Sequence, residues 1–126
     1  MSTQAALVAD RLSNSGSFEL VAISPGQFAA RGALTFETAR HAWQQGLDSF
    51  HPAGARELQV DCSGINIADS AGLTVLLDWL AHAQGADRSL CFANLPQELL
   101  AIARISDVDG LLQRGVGCAP ENDARL

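Results

Sequence analysis

Basic side chains are scarce in this chain of 126 residues, where 8 Lys+Arg stand against 14 Asp+Glu and the formal net charge is −6. That balance excludes the basic footprint needed by nucleic acid or an anionic bilayer surface, so the expected partner is another protein. Long apolar runs are missing as well. No stretch approaches the roughly 20 residues that cross a bilayer, and no direct membrane insertion is expected. Residues 1–11 carry neither a basic region nor a continuous apolar segment of the secretory kind, so a cytoplasmic location is expected. Cys62, Cys91 and Cys118 are few, odd in number and far apart. Their spacing fits neither a zinc site nor a redox CxxC; two read as small packed hydrophobes and Cys118 as part of a tail. His41, His51 and His82 fall at polar positions with no ligand-like spacing, so no metal and no cofactor is assigned. A G-x-x-x-x-G-K phosphate loop is absent too, and ATP hydrolysis would have to belong to a partner.

What is present suits one domain, because 48% hydrophobic residues in a chain of this length make a single core and leave no room for a second. Ser13-Asn14-Ser15-Gly16-Ser17 is turn-prone, so residues 1–16 read as a flexible leader, 17–114 as the folded domain and 115–126, rich in Gly, Pro and charge, as a fraying tail. Phe18–Ile23 and Phe28–Leu34 are short apolar runs around Ser24-Pro25-Gly26-Gln27, a type II turn signal, and predict an antiparallel hairpin. Thr35 offers an N-cap, and Phe36, Ala39, Trp43, Leu47 and Phe50 draw an apolar stripe at helical spacing. His41, Gln44, Gln45 and Asp48 fall on the wet side. Pro52 and Gly54 stop that helix, and Glu57–Cys62 alternates into a central strand.

Asp69-Ser70-Ala71-Gly72-Leu73 opens the next helix, at whose N-terminus a serine hydroxyl and free backbone N–H groups are expected to face solvent. Leu73, Leu76, Leu77 and Leu80 form its core face. Gly72, Val75 and Trp79 form a second apolar stripe, more than one sheet contact requires, which is expected to stay uncovered for a partner. Gly85 reads as the helix C-cap, Arg88–Ala93 as a strand, and Pro96 as the first turn of a third helix carrying Leu99, Leu100, Ile102 and Ala103. Gly110 closes that region and Leu111–Arg114 reads as a short edge strand. Strand-helix-strand crossovers make parallel neighbours, so the sheet is mixed, with helices mainly on one face. Asp61, at a strand end, reads as a scaffold residue that satisfies loop amides.

Four segments, Gly32-Ala33-Leu34-Thr35, Val60-Asp61-Cys62-Ser63-Gly64, Ile67-Ala68-Asp69-Ser70-Ala71-Gly72-Leu73 and Asn94-Leu95-Pro96, resemble the STAS family, the sulfate-transporter and anti-sigma-factor-antagonist domain. The resemblance spans about Phe18 to Leu112. It implies the STAS fold, an α/β domain with a mixed sheet of four or five strands, an N-terminal hairpin and about three to four helices. Gly32–Ala39 (GALTFETA), Leu76-Leu77-Asp78-Trp79-Leu80 and the Ala101-Ile102-Ala103-Arg104-Ile105 ending look most like the branch that serves as the small STAS subunit of the Mla phospholipid ABC transporter. That likeness implies a non-enzymatic accessory subunit, cytoplasmic and peripheral to the inner membrane, which binds an ABC transporter ATPase and supports outer-membrane lipid asymmetry. In relatives that act as anti-sigma-factor antagonists, the serine at the position of Ser70 is phosphorylated by a serine kinase, the anti-sigma factor. Ser70 is thus the candidate phosphorylation site of the alternative reading. Thr35 departs from the acidic residue that many of these relatives carry nearby. The expected partner-binding surface is Thr35, Asp69, Ser70, Ala71, Gly72, Leu73, Val75 and Trp79.

Catalysis is not expected. Ala68-Asp69-Ser70-Ala71-Gly72 only partly matches a G-x-S-x-G nucleophile elbow, because Ala68 replaces the first glycine and the loop-like Ser63–Ala68 separates the serine from its strand. The chain is also too short for a hydrolase fold to supply the remaining residues. On this reading Trp79→Ala and Ser70→Glu both weaken partner binding and leave the fold intact.

Overall fold

The computed structural model describes residues 16–118, so the expected leader apart from Gly16, and the tail after Cys118, lie outside the described residues. Strand β1 (Phe18–Ser24) turns through Pro25 and Gly26 into β2 (Gln27–Leu34), and Gly26 takes φ +80°, as the second corner of a type II turn requires. Helix α1 (Ala39–Phe50) follows, with a single 3₁₀ turn at His51–Ala53, then β3 (Glu57–Ala68), helix α2 (Ser70–Gly85), β4 (Ser89–Ala93), helix α3 (Gln97–Ile105) and the short helix α4 (Asp109–Arg114). The four strands lie in the order β1-β2-β3-β4, with β1 antiparallel to β2 and the other two pairs parallel. Alternation decides which side is covered. Phe18, Leu20, Phe28, Ala30, Leu58, Val60, Leu90 and Phe92 are buried beneath the helices. Glu19, Arg31, Glu57 and Gln59 point the other way and are exposed, and Glu19 pairs with Arg31 at 3.0 Å across the β1/β2 ladder.

Helix α1 starts three residues later than its cap signal suggested. Thr38, not Thr35, precedes its first turn: the Thr38 hydroxyl donates to Ala33 O at 2.7 Å and accepts from Thr35 N at 3.0 Å, closing a tight turn before the helix. Phe36 is therefore outside the helix and 81% exposed. The buried face of α1 is Ala42, Gly46 and Phe50, with Ala39, Trp43 and Leu47 half-buried beside it. Gln45, expected in water, is half-buried and its side-chain oxygen accepts from Leu20 N of β1.

The second apolar stripe of α2 is packed inside the monomer, against expectation, with only Val75 also reaching a surface groove. Gly72, Val75 and Trp79 are buried along with Leu73, Leu76 and Leu80, and Trp79 has no exposure at all. The reason lies on α1. Gly46 has no side chain, and a methyl group there would fall within the Trp79 ring. The indole fills this hollow, donates to Trp43 O at 3.3 Å and meets Phe50 edge-on at 5.3 Å and Phe18 at 6.2 Å. Trp79 is a core residue that joins α2, α1 and β1.

Strand β3 does not end at Cys62. The register advances three residues on β3 for two on β2 between the Ala29/Asp61 and Arg31/Gly64 pairs, and two for one just beyond, so two bulges carry the strand on to Ala68. Gly64 makes this possible, since a Cβ there would lie 2.8 Å from Ala30 O. Only Asp69 consequently separates Ser70 from the strand, and the supposed Ser63–Ala68 loop is not an objection to a nucleophile elbow. Gly85 is the last helical residue of α2, and the left-handed exit falls on Asp87, at φ +61°.

Leu111–Arg114 is helical rather than an edge strand. Leu112 N donates to Val108 O at 3.1 Å and Gly115 N to Leu111 O at 2.8 Å, which buries Leu112 completely, and Gly110 lies inside α4. Gly115–Cys118 is tied down where fraying was expected. Val116 exchanges both backbone hydrogen bonds with Leu90, at 2.9 and 3.0 Å, and Cys118 forms a disulfide with Cys91 at a Cα–Cα separation of 5.9 Å. Only Cys62 is free, and burial pushes its thiol up to about 12, which makes it inert at neutral pH.

Two outcomes follow from this packing. Trp79→Ala lowers folding stability by about 3–5 kcal/mol in a denaturant titration, the cost of emptying a large buried aromatic site; a loss below about 1 kcal/mol would show that Gly46 and Phe50 do not depend on the ring. Unfolded without reductant, the oxidised chain exposes one titratable thiol, that of Cys62, and three after reduction; three from the start would refute the Cys91–Cys118 bond.

Candidate partner-binding site

The ends of β2 and β3 lie side by side, with Leu34 paired to Ala68, so the loop after β2 and the first turn of α2 share one corner of the molecule. Gly72 sets their spacing. A Cβ at this position would run into Leu34 O, so only glycine lets α2 begin this close to β2.

Asp69 builds the corner. Its Oδ1 accepts from Ala71 N at 2.9 Å and Gly72 N at 3.1 Å, and its Oδ2 accepts from Phe36 N at 3.0 Å. Its own N–H donates to Leu34 O at 3.2 Å. One carboxylate therefore caps α2 and fixes the loop that carries Phe36. The expectation of free N–H groups at this helix start is corrected here, since two of them are spent on Asp69.

Ser70, the first residue of the helix, is exposed. Its hydroxyl has no protein hydrogen-bond partner among the described residues, so no hydrogen-bonded base activates it there. Its carbonyl accepts from the Thr74 hydroxyl at 3.1 Å, which places Thr74 one turn along the same side. Beside Ser70 runs a groove of about 580 Å³ between α1 and α2, walled by Phe36, Ala39, Trp43, Ala71, Thr74 and Val75 and ending at Arg40 and Asp78. Asp78 is held by the Trp43 indole N–H and lies 3.4 Å from His82.

Of the residues expected to bind a partner, the structure gathers Asp69, Ser70, Ala71 and Thr35 at this corner, with Val75 on the groove floor. It withdraws Gly72, Leu73 and Trp79 into the core. Phe36, Trp43, Arg40 and Thr74 were missed. Thr74 was readable as the residue four after Ser70, whereas Phe36 was hidden by its fit to the periodicity of α1. Ile67, 45% exposed at the end of β3, adds a further apolar side chain. Asp61 lies elsewhere: it accepts from Asn94 Nδ2 and Ser63 N, each at 3.0 Å, and these bonds hold its carboxyl below the usual range. It pins the β3 bulge to the turn after β4. Among the described residues, no cluster of His, Cys, Asp and Glu could hold a metal, and no helix is long and apolar enough to cross a membrane.

A mixed sheet with helices on one face and a serine at the start of the helix after β3 defines the class, and the family comparison agrees. The model described as "Mlab, STAS domain" matches residues 21–113, and the chain belongs to the STAS domain family. The anti-sigma factor antagonist SpoIIAA in its unphosphorylated form has a similar structure, with a TM-score of 0.56 at 13% identity over 86% of this chain and 94% of its own. A Thermotoga maritima protein described as an anti-sigma factor antagonist gives 0.62 at 15% identity, over 76% of this chain and 83% of its own. The murine Solute Carrier 26 family member A9 anion transporter gives 0.60 at 13% identity over 82% of this chain, which matches 20% of the transporter. These three likenesses show the fold. No curated protein matches the chain in sequence.

The Asp69 arrangement makes a measurable claim. Asp69→Ala removes an N-cap and a loop tie together and lowers stability by about 1–2 kcal/mol in chemical denaturation, with faster amide exchange at Phe36. Full protection of Phe36 in this variant would show that the carboxylate does not hold the loop.

Proposed function

We propose that this chain is a non-enzymatic accessory STAS subunit that docks on the cytoplasmic ATPase of an Mla-type phospholipid ABC transporter, peripheral to the inner membrane, and supports the upkeep of outer-membrane lipid asymmetry. The observation that carries this reading is an exposed, unpaired Ser70 hydroxyl at the rim of an apolar groove with Phe36 standing 81% exposed beside it. An aromatic side chain left in water next to a concave apolar surface suits a protein partner that covers both. The Mlab description of the matching family model favours an Mla-type partner.

The second reading is an anti-sigma-factor antagonist controlled by phosphorylation of Ser70, and it draws support from the likeness to SpoIIAA. Its physics at this corner is specific. A phosphate adds about −1.5 to −2 charges near neutral pH. The N–H groups of Ala71 and Gly72 are already committed to Asp69, so the new charge meets a carboxylate instead of free donors. Phosphorylation would thus repel Asp69 and loosen the Phe36 loop, switching partner binding off.

Affinity purification of the tagged chain from its own cells separates the two readings: an ABC ATPase is expected, and a kinase-like anti-sigma factor would replace the first reading with the second. With the recovered partner, Phe36→Asp and Ser70→Glu each weaken binding at least about tenfold, or ~1.4 kcal/mol, without changing the circular dichroism spectrum. Wild-type affinity in both variants would remove this corner from the interface.

A further inference from the structure

A second cavity lies at the opposite end of the sheet from Ser70, roughly 30 Å away along β3 at about 3.3 Å per residue. It encloses about 690 Å³ between the end of α1, the His51–Ala53 turn, the start of β3 and the end of α2. Leu47, Phe50, Pro52, Leu58, Ala83 and Ala86 make its walls. Four ionisable side chains also line it: Asp48, His51, His82 and Arg88.

Arg88 is the unusual member. It is half-buried in a chain where carboxylates outnumber basic residues, yet no carboxylate lies within 4.0 Å of it among the described residues. Its guanidinium is nonetheless fixed, because Nε and one terminal nitrogen both donate to Ala55 O, at 2.9 and 2.7 Å. The remaining N–H groups have no protein acceptor among the described residues. A held, unpaired guanidinium lacks the anion that normally offsets its desolvation. Asp48 does not provide that charge; it is exposed and takes the Gln44 amide at 3.0 Å.

We infer that this cavity is a binding site for a single-chain alkyl carboxylate, whose hydrocarbon lies between Leu47, Phe50, Leu58 and Ala83 and whose head group pairs with Arg88. A volume of this size suits one small amphiphile. Guanidinium and carboxylate match in geometry as well as in charge. The site is separate from the Ser70 corner, and the inference stands or falls independently of the proposed partner.

Isothermal titration of the full chain with decanoate, octanoate, decanol and decyltrimethylammonium, all below micelle formation, tests it. Decanoate is expected to bind at least about tenfold more tightly than decanol, and decyltrimethylammonium more weakly than either. Octanoate should bind about 15-fold more weakly than decanoate, because each buried methylene contributes about fourfold. Arg88→Met brings decanoate down to the decanol value and leaves decanol unchanged, which also reports that the cavity remains folded. Ala86→Trp, at an exposed position on the rim, blocks both ligands. Equal affinity for the acid and the alcohol, no dependence on chain length, or wild-type binding by Ala86→Trp would each overturn the assignment.

Discussion

The indole of Trp79 standing over Gly46 is the contact on which the arrangement of this domain depends. There α1 meets α2 without a side chain of its own, which lets the helices approach closely enough for Phe50 and Phe18 to close on the same ring. Phe50 in turn meets Phe28 edge-on at 5.3 Å, so the chain of aromatic contacts runs from α2 through α1 to the β1/β2 hairpin. A domain of this size has little apolar area to spare, and a fully buried tryptophan contributes a large part of what holds it folded.

Burying Trp79 also settles what is left outside. At the Ser70 corner this leaves the groove between α1 and α2 together with Phe36, which the Asp69 carboxylate holds beside it. Because that carboxylate serves the helix and the loop at once, any charge placed on Ser70 acts on both. A modification there would change the shape of the corner as well as its electrostatics.

The sheet was legible in the sequence because its strands alternate cleanly, and the turn at Pro25-Gly26 could hardly be anything else. The serine corner was legible through the Asp-Ser-x-Gly segment. The phase of α1 was not, because Thr35 and Thr38 are equally good cap residues and Phe36 continues the periodic stripe by coincidence; the decision is made by the hydrogen bond from Thr38 to Ala33. Periodicity likewise reveals how much apolar surface α2 has, but not what covers it. Gly46, a glycine inside an otherwise good helix, was the available clue to where Trp79 goes. The continuation of β3 past Ser63-Gly64 depends on bulges, which look like a loop in sequence, and α4 is too short to show any period. The pairing of Cys91 with Cys118 depends on the return of Val116 to Leu90, a contact between distant segments that no local pattern announces.

The two ends of the molecule share the same pair of helices, since α1 and α2 line both the groove near Ser70 and the cavity near Arg88. Coupling between such sites requires an element with two arrangements that each ligand prefers differently. Trp79 lies between them with no exposure, held by Phe18, Phe50, Trp43 O and the hollow over Gly46. Sliding α1 along α2 would press the helix backbone into the indole, so the middle of the helix pair acts as a fixed pivot instead of a switch. The Phe36 loop at one end and the His51–Ala53 turn at the other are each attached to a different terminus of α1. The sites are therefore expected to respond separately, with α1 as a rigid strut between them.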